Sequence, residues 1–333
     1  MNSGSQLEKK LSTDQIWCIA SAPSNIALIK YMGKVDTTTN KPTNSSLSWT
    51  LNSLRSFVRI KKNNQLNQDT WSVLIDSELK PIQLSETGLK KFLSFFQNLK
   101  KQFGLSGFYE IQSANNFPSD CGLASSASSF AALTLVTYRQ ARTILDYPEK
   151  SDQELAMISK SGSGSSCRSF FSPWAQWSED QVSAVDLPYK NLNHMVILCD
   201  ETIKAVSSSQ AHKLVLTSDL FPGRIERAEK RLIDLKSAFN SKNWLEAVDI
   251  CWNEFWDMHN LFHTSKPAFQ YMNGECTEAL NQLLALRNTN QDSPLITMDA
   301  GSNIHLLFNE SQTDLFKKYQ YELLKSYKLW TQQ

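Results

Sequence analysis

Cysteine is scarce and scattered in this sequence. The chain has 333 residues and six cysteines, with no C-x-x-C pair and no interleaved histidines. That spacing argues against a zinc site and against a disulfide framework, and it indicates a reducing compartment. We therefore expect a cytoplasmic protein. The cysteines are Cys18, Cys121, Cys167, Cys199, Cys251 and Cys276.

Long apolar runs and an excess of either charge are also missing. No uninterrupted apolar run approaches the roughly 18 residues of a membrane span. Residues 12–15 are polar where a signal peptide needs an apolar stretch. Lys+Arg 34 against Asp+Glu 33 gives a formal charge of +1. We expect no membrane and no nucleic acid as partners, so any anion site must be local.

Glycine is also scarce in this sequence. The chain has 11 glycines, well below the ordinary ~7%. Several of them nevertheless fall in segments rich in Ser, Asn, Asp or Lys, which indicates a need for close backbone approach there. These glycines are Gly33, Gly122, Gly162, Gly164 and Gly301.

What is present predicts an α+β protein of two domains. Hydrophobic residues make up 41% of the chain, enough for a substantial core. β-Branched and aromatic runs predict strands, and apolar spacing of 3.6 predicts helices. We place the domain boundary near residue 187, giving domains 1–187 and 188–333. The predicted strands are 17–31, 56–62, 71–75, 107–113, 193–199, 295–299 and 304–308, and the predicted helices are 88–103, 123–142, 151–160, 222–240, 243–260, 274–288 and 312–329.

Segment 115–131, NNFPSDCGLASSASSFA, runs from a short turn into an Ala- and Ser-rich helix. Small side chains leave the free N–H groups of the first helical turn exposed, and the helix dipole adds partial positive charge there. The segment is thus suited to cradle phosphate, although no Walker G-K-[ST] follows. A plain helix capped by serine is a second interpretation of the same residues.

Segment 161–172, SGSGSSCRSFFS, combines alternating Gly and Ser with Arg168. Hydroxyls and N–H groups bind phosphate oxygens, and a guanidinium grips a carboxylate with two hydrogen bonds. A flexible linker would have a similar Gly/Ser composition. The bulky Phe170 and Phe171 beside it argue against a linker.

Two further segments place charged residues beside turns. Lys30 and Lys34 lie four residues apart in 22–36, and Asp299 ends an apolar strand before Gly301. Lysines at this spacing usually form a solvated face, and a carboxylate at such a turn is more often a cap than a catalyst.

The five histidines show no metal-ligand spacing, so we expect no metal site built from them and place them outside the functional site. They are His194, His212, His259, His263 and His305.

These segments, taken in order, resemble the mevalonate diphosphate decarboxylase family of the GHMP kinase superfamily. The matching words are APSNIALIKYMGK, PTNSSLSWTL, NNFPSDCGLASSASSFAAL, SGSGSSCRS, KAVSSSQAHKLVLTS, MHNLFHTSKPAFQYMN and MDAGSN, which span roughly residues 20–308. GLASSAS alone indicates only the superfamily. NIALIKY, SGSGSSCR and MDAGSN together indicate the decarboxylase branch.

The resemblance implies a GHMP kinase-like fold, with a ribosomal-protein-S5-like N-terminal domain and a ferredoxin-like C-terminal domain. It implies ATP and Mg²⁺ as cosubstrate and cofactor, and a homodimer. The implied reaction phosphorylates the 3-hydroxyl of 5-diphosphomevalonate and then eliminates phosphate and CO2 to give isopentenyl diphosphate.

The resemblance also implies roles for individual residues. Asp299, Lys30 and Arg168 match catalytic positions. Tyr31, Lys34, Ser163, Ser165 and Ser208 match positions that bind the substrate. The turn that would cradle the ATP phosphates comprises Ser119, Gly122, Leu123, Ala124, Ser125 and Ser126.

The sequence departs from the family at several positions in these motifs. Met32 and Val35 replace a usual Trp and Arg, Asp120 and Cys121 replace two alanines, and the arginine usual near 71–80 is absent. Fewer cations leave a 5-monophosphate or a smaller 3-hydroxy acid open as substrate. The same residues are also compatible with a kinase that stops at the 3-phosphate and with a non-catalytic nucleotide-binding protein.

Overall fold

The protein is built from α-helices and mostly antiparallel strands, as the α+β prediction requires. The computed structural model describes residues 16–36, 38–117, 125–179, 181–200 and 205–331. The strands are β1 (Cys18–Ile29), β2 (Lys34–Asp36), β3 (Lys41–Pro42), β4 (Ser46–Lys62), β5 (Thr70–Val73), β6 (Tyr109–Asn115), β7 (Trp174–Ser178), β8 (Gln181–Ala184), β9 (Leu192–Leu198), β10 (Leu295–Met298), β11 (Ile304–Asn309) and β12 (Lys328–Thr331). The helices are α1 (Glu86–Phe103), α2 (Ser125–Leu145), α3 (Asp152–Lys160), α4 (Ser208–Leu214), α5 (Arg224–Asn240), α6 (Trp244–Thr264), α7 (Gly274–Asn290) and α8 (Thr313–Leu323).

The first sheet is organised around the long strand β4. Strand β1 pairs antiparallel with β4 on one side. On the other side, β6 pairs with the second half of β4 and β7 with its first half. Strands β5 and β8 extend the two ends, and β5–β6 is the parallel pair of this sheet. The first half of the chain thus contributes one six-stranded sheet.

Helices α1, α2 and α3 cover one face of that sheet. The apolar spacing of α1 buries Phe92, Phe96, Leu99 and Phe103. Ser85 caps its start by accepting a hydrogen bond from the Gly88 amide, and the helix ends at a glycine in the left-handed conformation. This packing fixes the direction in which the lysines of α1 project.

The second sheet is antiparallel and has the order β10-β11-β9-β12. The predicted strands 295–299 and 304–308 are found as β10 and β11, which form an antiparallel hairpin with Leu295 opposite Leu307. Helices α6, α7 and α8 pack on this sheet through apolar side chains such as Phe255, Leu280 and Tyr319. The turn between β10 and β11 carries Asp299, so the sheet places that carboxylate at its edge.

One apolar cluster joins the two sheets. It contains Leu47 and Trp49 from β4 together with Val196 from β9 and Leu295 from β10. Helix α5 adds residues including Phe239. The predicted boundary near residue 187 falls between β8 and β9, and side chains from both sides of it pack in this common core.

Most predicted elements are confirmed, and three predictions are wrong in detail. The sequence predicts a closing helix over 312–329, yet α8 ends at Leu323 and the chain continues as β12. Pro222 is not in the first turn of a helix but precedes the N-cap Gly223 of α5. The predicted strand 56–62 is only the second half of β4. Among the helices of the described ranges, none is both long and apolar enough to cross a membrane.

Candidate active site

A cavity of about 510 Å³ lies where segments from both halves of the chain meet. Strand β1 and the loop after it, the starts of α1 and α2, the Gly/Ser segment, α4 and the β10–β11 turn all contribute to its wall. The charged and hydroxyl-bearing side chains that line it are Lys30, Tyr31, Lys34, Ser85, Lys91, Ser125, Ser126, Ser163, Ser165, Arg168, Ser207, Ser208, Ser209 and Asp299.

Lys30 and Asp299 form an ion pair at one end of this cavity. The Lys30 ammonium lies 2.7 Å from a carboxylate oxygen of Asp299. Lys30 is almost fully buried, whereas about a third of the Asp299 side chain, 32%, is exposed. The carboxylate therefore opens onto the cavity with the ammonium beside it.

The surroundings keep Asp299 ionised. Burial by itself raises the pKa of this carboxyl, but the charges of Lys30, His305 and Arg168 and the hydrogen bond from Lys30 outweigh that effect and lower the pKa below its usual range. Burial also lowers the pKa of Lys30, and Asp299 and Glu254 oppose this lowering.

A buried charge network holds the main chain of Lys30. Its backbone N–H donates to Glu254 at 2.9 Å, and its carbonyl accepts from Asn44 at 2.9 Å and from Arg224 at 3.2 Å. Arg224 in turn donates to Glu254 at 2.5 Å, and both side chains are fully buried. Helices α5 and α6 thereby fix the position of Lys30 against the second half of the chain.

Arg168 is a buried guanidinium with neutral partners. It lies on a 3-10 helix, Gly164–Phe170, that forms the end of the Gly/Ser segment. Its Nη1 donates to Ser46 at 2.8 Å and its Nε to Asn25 at 3.3 Å. It forms no ion pair with a carboxylate among the residues that the structure describes, although it lines the cavity. A buried cation of this kind is suited to take an anionic ligand as its partner.

The Gly/Ser segment packs tightly against Tyr31. A β-carbon placed on Gly164 would lie 2.9 Å from the Tyr31 hydroxyl, so only glycine fits there. The Tyr31 hydroxyl is buried without a hydrogen-bond partner among the described atoms. Ser163 and Ser165 line the cavity on either side of Gly164, and Ser163 accepts a hydrogen bond from Ser126 at 3.2 Å. The segment is therefore an ordered part of the cavity wall and not a flexible linker.

Lys34 and Lys91 make one part of the cavity wall cationic, and we call that part its cationic end. The Lys34 ammonium donates to Asn40 at 2.5 Å, and burial together with the charges of Lys91 and Lys213 lowers the Lys34 pKa to about 8. Burial lowers the pKa of Lys91 as well. Neither Lys34 nor Lys91 has a carboxylate partner within the described part of the chain. Such uncompensated positive charge is what the local anion site predicted from the near-neutral net charge would require.

Lys91 is a cavity cation that the sequence motifs do not include. The apolar stripe of α1 assigns all of its lysines to a solvated face. A sequence signal does separate them, because Lys90 has Glu86 four residues earlier and pairs with it at 2.6 Å, whereas Lys91 has Thr87 at that spacing. Lys100 and Lys101 also lack an acidic neighbour on α1, so this signal distinguishes only the adjacent pair Lys90 and Lys91, of which Lys91 lines the cavity.

The predicted phosphate turn is only partly described. Ser119, Gly122, Leu123 and Ala124 lie outside the described residues. Ser125 and Ser126 are the first described residues of α2, and both line the cavity.

Helix α4 brings Ser208 and one unexpected residue to the cavity wall. Ser208, a predicted substrate-binding residue, lines the cavity, while the neighbouring Ser207 caps α4 through a reciprocal pair of hydrogen bonds with Gln210. His212 also lines the cavity. The prediction that every histidine lies outside the site is therefore wrong for His212. It is buried, as a packed histidine should be, but its ring is part of the wall.

Known proteins match this arrangement along nearly the whole chain. Residues 22–186 match the model of the diphosphomevalonate decarboxylase-like N-terminal domain, and residues 194–333 match that of the mevalonate 5-diphosphate decarboxylase C-terminal domain. The chain belongs to this decarboxylase family. Its fold is accordingly the two-domain GHMP kinase fold that the sequence predicted.

Individual relatives agree with the family assignment. A diphosphomevalonate decarboxylase of Debaryomyces hansenii is 30% identical over 87% of this chain and 79% of its own length. The crystal structure of a mevalonate diphosphate decarboxylase from Legionella pneumophila is 45% identical, with a TM-score of 0.89 over 95% of this chain and 100% of that one. The structure of MDDEF in complex with MVAPP, AMPPCP and magnesium is 28% identical, with a TM-score of 0.82 over 92% and 93%.

One departure from the family's sequence motifs is explained by its packing environment. Met32, which stands where the family usually has Trp, is buried in an apolar cluster with Met258, Phe262 and residues of α4. A flexible thioether fills such an irregular space well. The substitution is therefore accommodated by packing and removes no charge from the cavity.

Proposed function

We propose that this protein catalyses the ATP-dependent decarboxylation of 5-diphosphomevalonate to isopentenyl diphosphate, releasing ADP, phosphate and CO2. The observation that carries the proposal is a single cavity that combines an ionised carboxylate, a lysine 2.7 Å from it and a buried arginine without a carboxylate partner in the described chain. This is the set of groups that the two-stage reaction needs, in a chain of the decarboxylase family. MVAPP, AMPPCP and magnesium, which MDDEF binds, define the kinds of ligand that this cavity is proposed to take.

Phosphorylation of the 3-hydroxyl is the first stage. A tertiary alcohol is a weak nucleophile, so its oxygen must be oriented and its proton must be accepted as the bond to phosphorus forms. Asp299 is ionised and partly exposed to the cavity, and it performs this step. Lys30 stabilises the negative charge on the oxygen and on the transferring phosphoryl group.

Elimination is the second stage. The 3-phosphate leaves with the electron pair of its C–O bond, and the electrons of the bond to the carboxylate carbon form the double bond as CO2 departs. Arg168 holds the substrate carboxylate until this step. Its guanidinium is positioned by Ser46 and Asn25, both neutral, so its charge remains available to the ligand.

The cationic end of the cavity binds the diphosphate. Lys34 and Lys91 supply the charge, and the buried hydroxyl of Tyr31 supplies a hydrogen bond that no described atom takes up. Ser163, Ser165 and Ser208 add hydroxyl donors along the wall. Lys91 offsets the arginine that is missing near 71–80, so the cavity has cations for two phosphates.

ATP enters beside the start of α2. Ser125 and Ser126 stand at the cavity wall, and the preceding turn with Ser119, Gly122, Leu123 and Ala124 is proposed to surround the ATP phosphates. Within the described ranges no group of three or more His, Cys, Asp or Glu could hold a metal by itself. Mg²⁺ would therefore be held mainly by the phosphate oxygens of ATP. The ion neutralises charge on the phosphates.

Two further proposals concern the oligomeric state and the cellular location of the protein. The family resemblance implies a homodimer, and the cysteine content implies the cytoplasm. Sedimentation of the purified protein and imaging of a tagged chain in its host would test these two predictions.

The proposed reaction is tested by mixing the protein with Mg-ATP and 5-diphosphomevalonate and following ADP, phosphate and CO2 together. Equal release of all three is expected. ADP without CO2 would identify a 3-kinase, and binding without turnover would identify a silent nucleotide-binding protein. A parallel assay with 5-phosphomevalonate tests the monophosphate as substrate.

A further inference from the structure

His212 lies at the cationic end of the cavity without a part in the chemistry described above. It is located on α4, is only 9% exposed and lines the cavity wall. Its ring packs on Tyr31, with the two ring centroids 4.3 Å apart. Lys34 and Lys91 are the charged groups whose fields act on the ring. His212 is thus surrounded by the groups proposed to bind the diphosphate.

One hydrogen bond fixes the tautomer of this ring. The backbone N–H of Gly33 donates to Nδ1 of His212 at 3.1 Å. Nδ1 must therefore be unprotonated, and the single ring proton of the neutral form lies on Nε2. Burial, Lys34 and Lys91 lower the pKa of His212 to about 3, so the ring is neutral in the free protein. Nε2 has no hydrogen-bond partner among the described residues, which leaves its N–H free for a ligand.

We propose that His212 binds the substrate by donating a hydrogen bond from Nε2 to the terminal phosphate of the diphosphate, and that it thereby favours diphosphate over monophosphate. This inference rests on the proposed function, because it names one contact of the same substrate. The terminal phosphate carries more negative charge than the inner one, so it belongs where Lys34, Lys91 and His212 meet without a carboxylate partner in the described chain.

A neutral donor suits this position. Burial is the main cause of the lowered pKa of Lys34, and the charge of Lys91 lowers it further, so the two ammonium groups already repel each other. A third permanent cation would increase that repulsion in the unliganded cavity. A neutral N–H adds a hydrogen bond to a phosphate oxygen without that cost.

Two substitutions separate the two ring nitrogens. In His212→Asn the amide oxygen replaces Nδ1 as acceptor for Gly33, but the donor at Nε2 is lost. In His212→Gln the longer side chain restores a donor near Nε2 and gives up the acceptor for Gly33. His263→Asn, at an exposed histidine of α6, is the matched control.

Calorimetry on the full-length variants measures the Kd of 5-diphosphomevalonate and of 5-phosphomevalonate. We expect His212→Asn to raise the Kd of the diphosphate about tenfold, the loss of one hydrogen bond to a charged group, and to leave that of the monophosphate within twofold. His212→Gln should keep the preference for diphosphate, and His263→Asn should behave as the wild type. An equal change for both ligands, or no change, in His212→Asn overturns the inference.

Inorganic pyrophosphate separates this inference from the proposed reaction. If the wild type failed to turn over 5-diphosphomevalonate, the proposed function would fail, but its affinity for pyrophosphate relative to phosphate could still be measured. A tenfold weaker affinity for pyrophosphate in His212→Asn, with phosphate binding unchanged, supports the contact. Equal pyrophosphate affinity in the wild type and in this variant overturns it.

Discussion

At the scale of single residues, the site depends on charges that are buried but not neutralised. Asp299 stays ionised because Lys30, His305 and Arg168 surround it. Arg168 and Lys91 are held in the wall without a carboxylate partner in the described chain. Removing such a group changes the charge of the cavity more than its shape, so conservative substitutions test the proposed roles well.

Asp299→Asn tests the first chemical stage. The amide keeps the shape of the side chain but cannot accept the hydroxyl proton, so we expect kcat for ADP release to fall about 10²–10⁴-fold, with ATP binding nearly unchanged. Rapid-quench assays of ADP and calorimetry with an ATP analogue measure the two quantities. Asp314→Asn, at a fully exposed carboxylate, is the control. Wild-type turnover in Asp299→Asn would remove this residue from the mechanism.

Arg168→Ala tests the proposed hydrogen bonds between the Arg168 guanidinium and the substrate carboxylate. Loss of a charged hydrogen-bonding partner should lower kcat/KM by about 1.5–3 kcal/mol, or roughly 10- to 150-fold. Steady-state assays of CO2 release give this value. Arg142→Ala removes an exposed guanidinium from α2 and should leave kcat/KM unchanged. An Arg168→Ala enzyme as efficient as the Arg142 variant would contradict the assignment.

Lys34 should give the substrate affinity a pH dependence. Because its pKa is lowered to about 8, the free enzyme loses this positive charge as the pH rises through 8. We therefore expect KM for the diphosphate to be lowest below pH 8 and to rise above it, as seen in initial rates between about pH 6.5 and 9.5. In Lys34→Arg the guanidinium stays charged, so the rise should disappear. A rise that persists in this variant would assign the titration to another group.

At the scale of elements, periodicity predicted the long helices and several of the strands that have one solvated face. Helix α1 and strand β6 have such a face, and their predicted ranges are close to the observed ones. The first half of β4 escapes prediction although residues 46–51, SLSWTL, alternate polar and apolar side chains. Ser46, Ser48 and Thr50 are buried as well, so this alternation does not mark a solvated face of the strand.

Site residues could be predicted where a single sequence segment contains the charged or hydroxyl side chains together with the turn that exposes them. Lys30, Arg168 and Asp299 come from three separate segments, and the fold brings all three to one cavity. Lys91 and His212 could not be found in this way, because their participation depends on which way a helix side chain projects after packing. That direction is set by the apolar face of α1 and by the Gly33 amide, and neither contact is local in sequence.

Glu254 tests how helices α5 and α6 support the site. Its carboxylate accepts from the Lys30 amide and from Arg224, and it is fully buried. Glu254→Gln leaves the buried guanidinium of Arg224 without its main counter-charge, so we expect the free energy of unfolding to fall by about 3 kcal/mol or more. Urea denaturation measures this quantity. Glu226→Gln on the exposed side of α5 is the control, and a loss below about 1 kcal/mol in Glu254→Gln would contradict the structural role.

At the scale of the whole molecule, the cavity belongs to neither half of the chain. Lys34, Lys91 and Arg168 come from one side of residue 187, and His212 and Asp299 come from the other. The halves also share an apolar core, in which Trp49 and Leu51 pack with residues of the second sheet and α5. A ligand in the cavity therefore bridges two units that are already joined by burial of apolar surface.

This shared core predicts cooperative unfolding of the full-length chain. Fluorescence of the buried Trp49 and Trp174 and far-UV circular dichroism should report one coincident urea transition, because the apolar cluster that contains both tryptophans is built from the two halves together. A substrate present at about 100 times its Kd should stabilise that single transition by about 2.7 kcal/mol. Asp299→Asn should retain most of this stabilisation, since the diphosphate and carboxylate contacts lie elsewhere, whereas Lys91→Ala should lose part of it. Two separate transitions, of which ligand shifts only one, would mean that the halves fold independently and that the cavity forms after folding, by docking of the two domains.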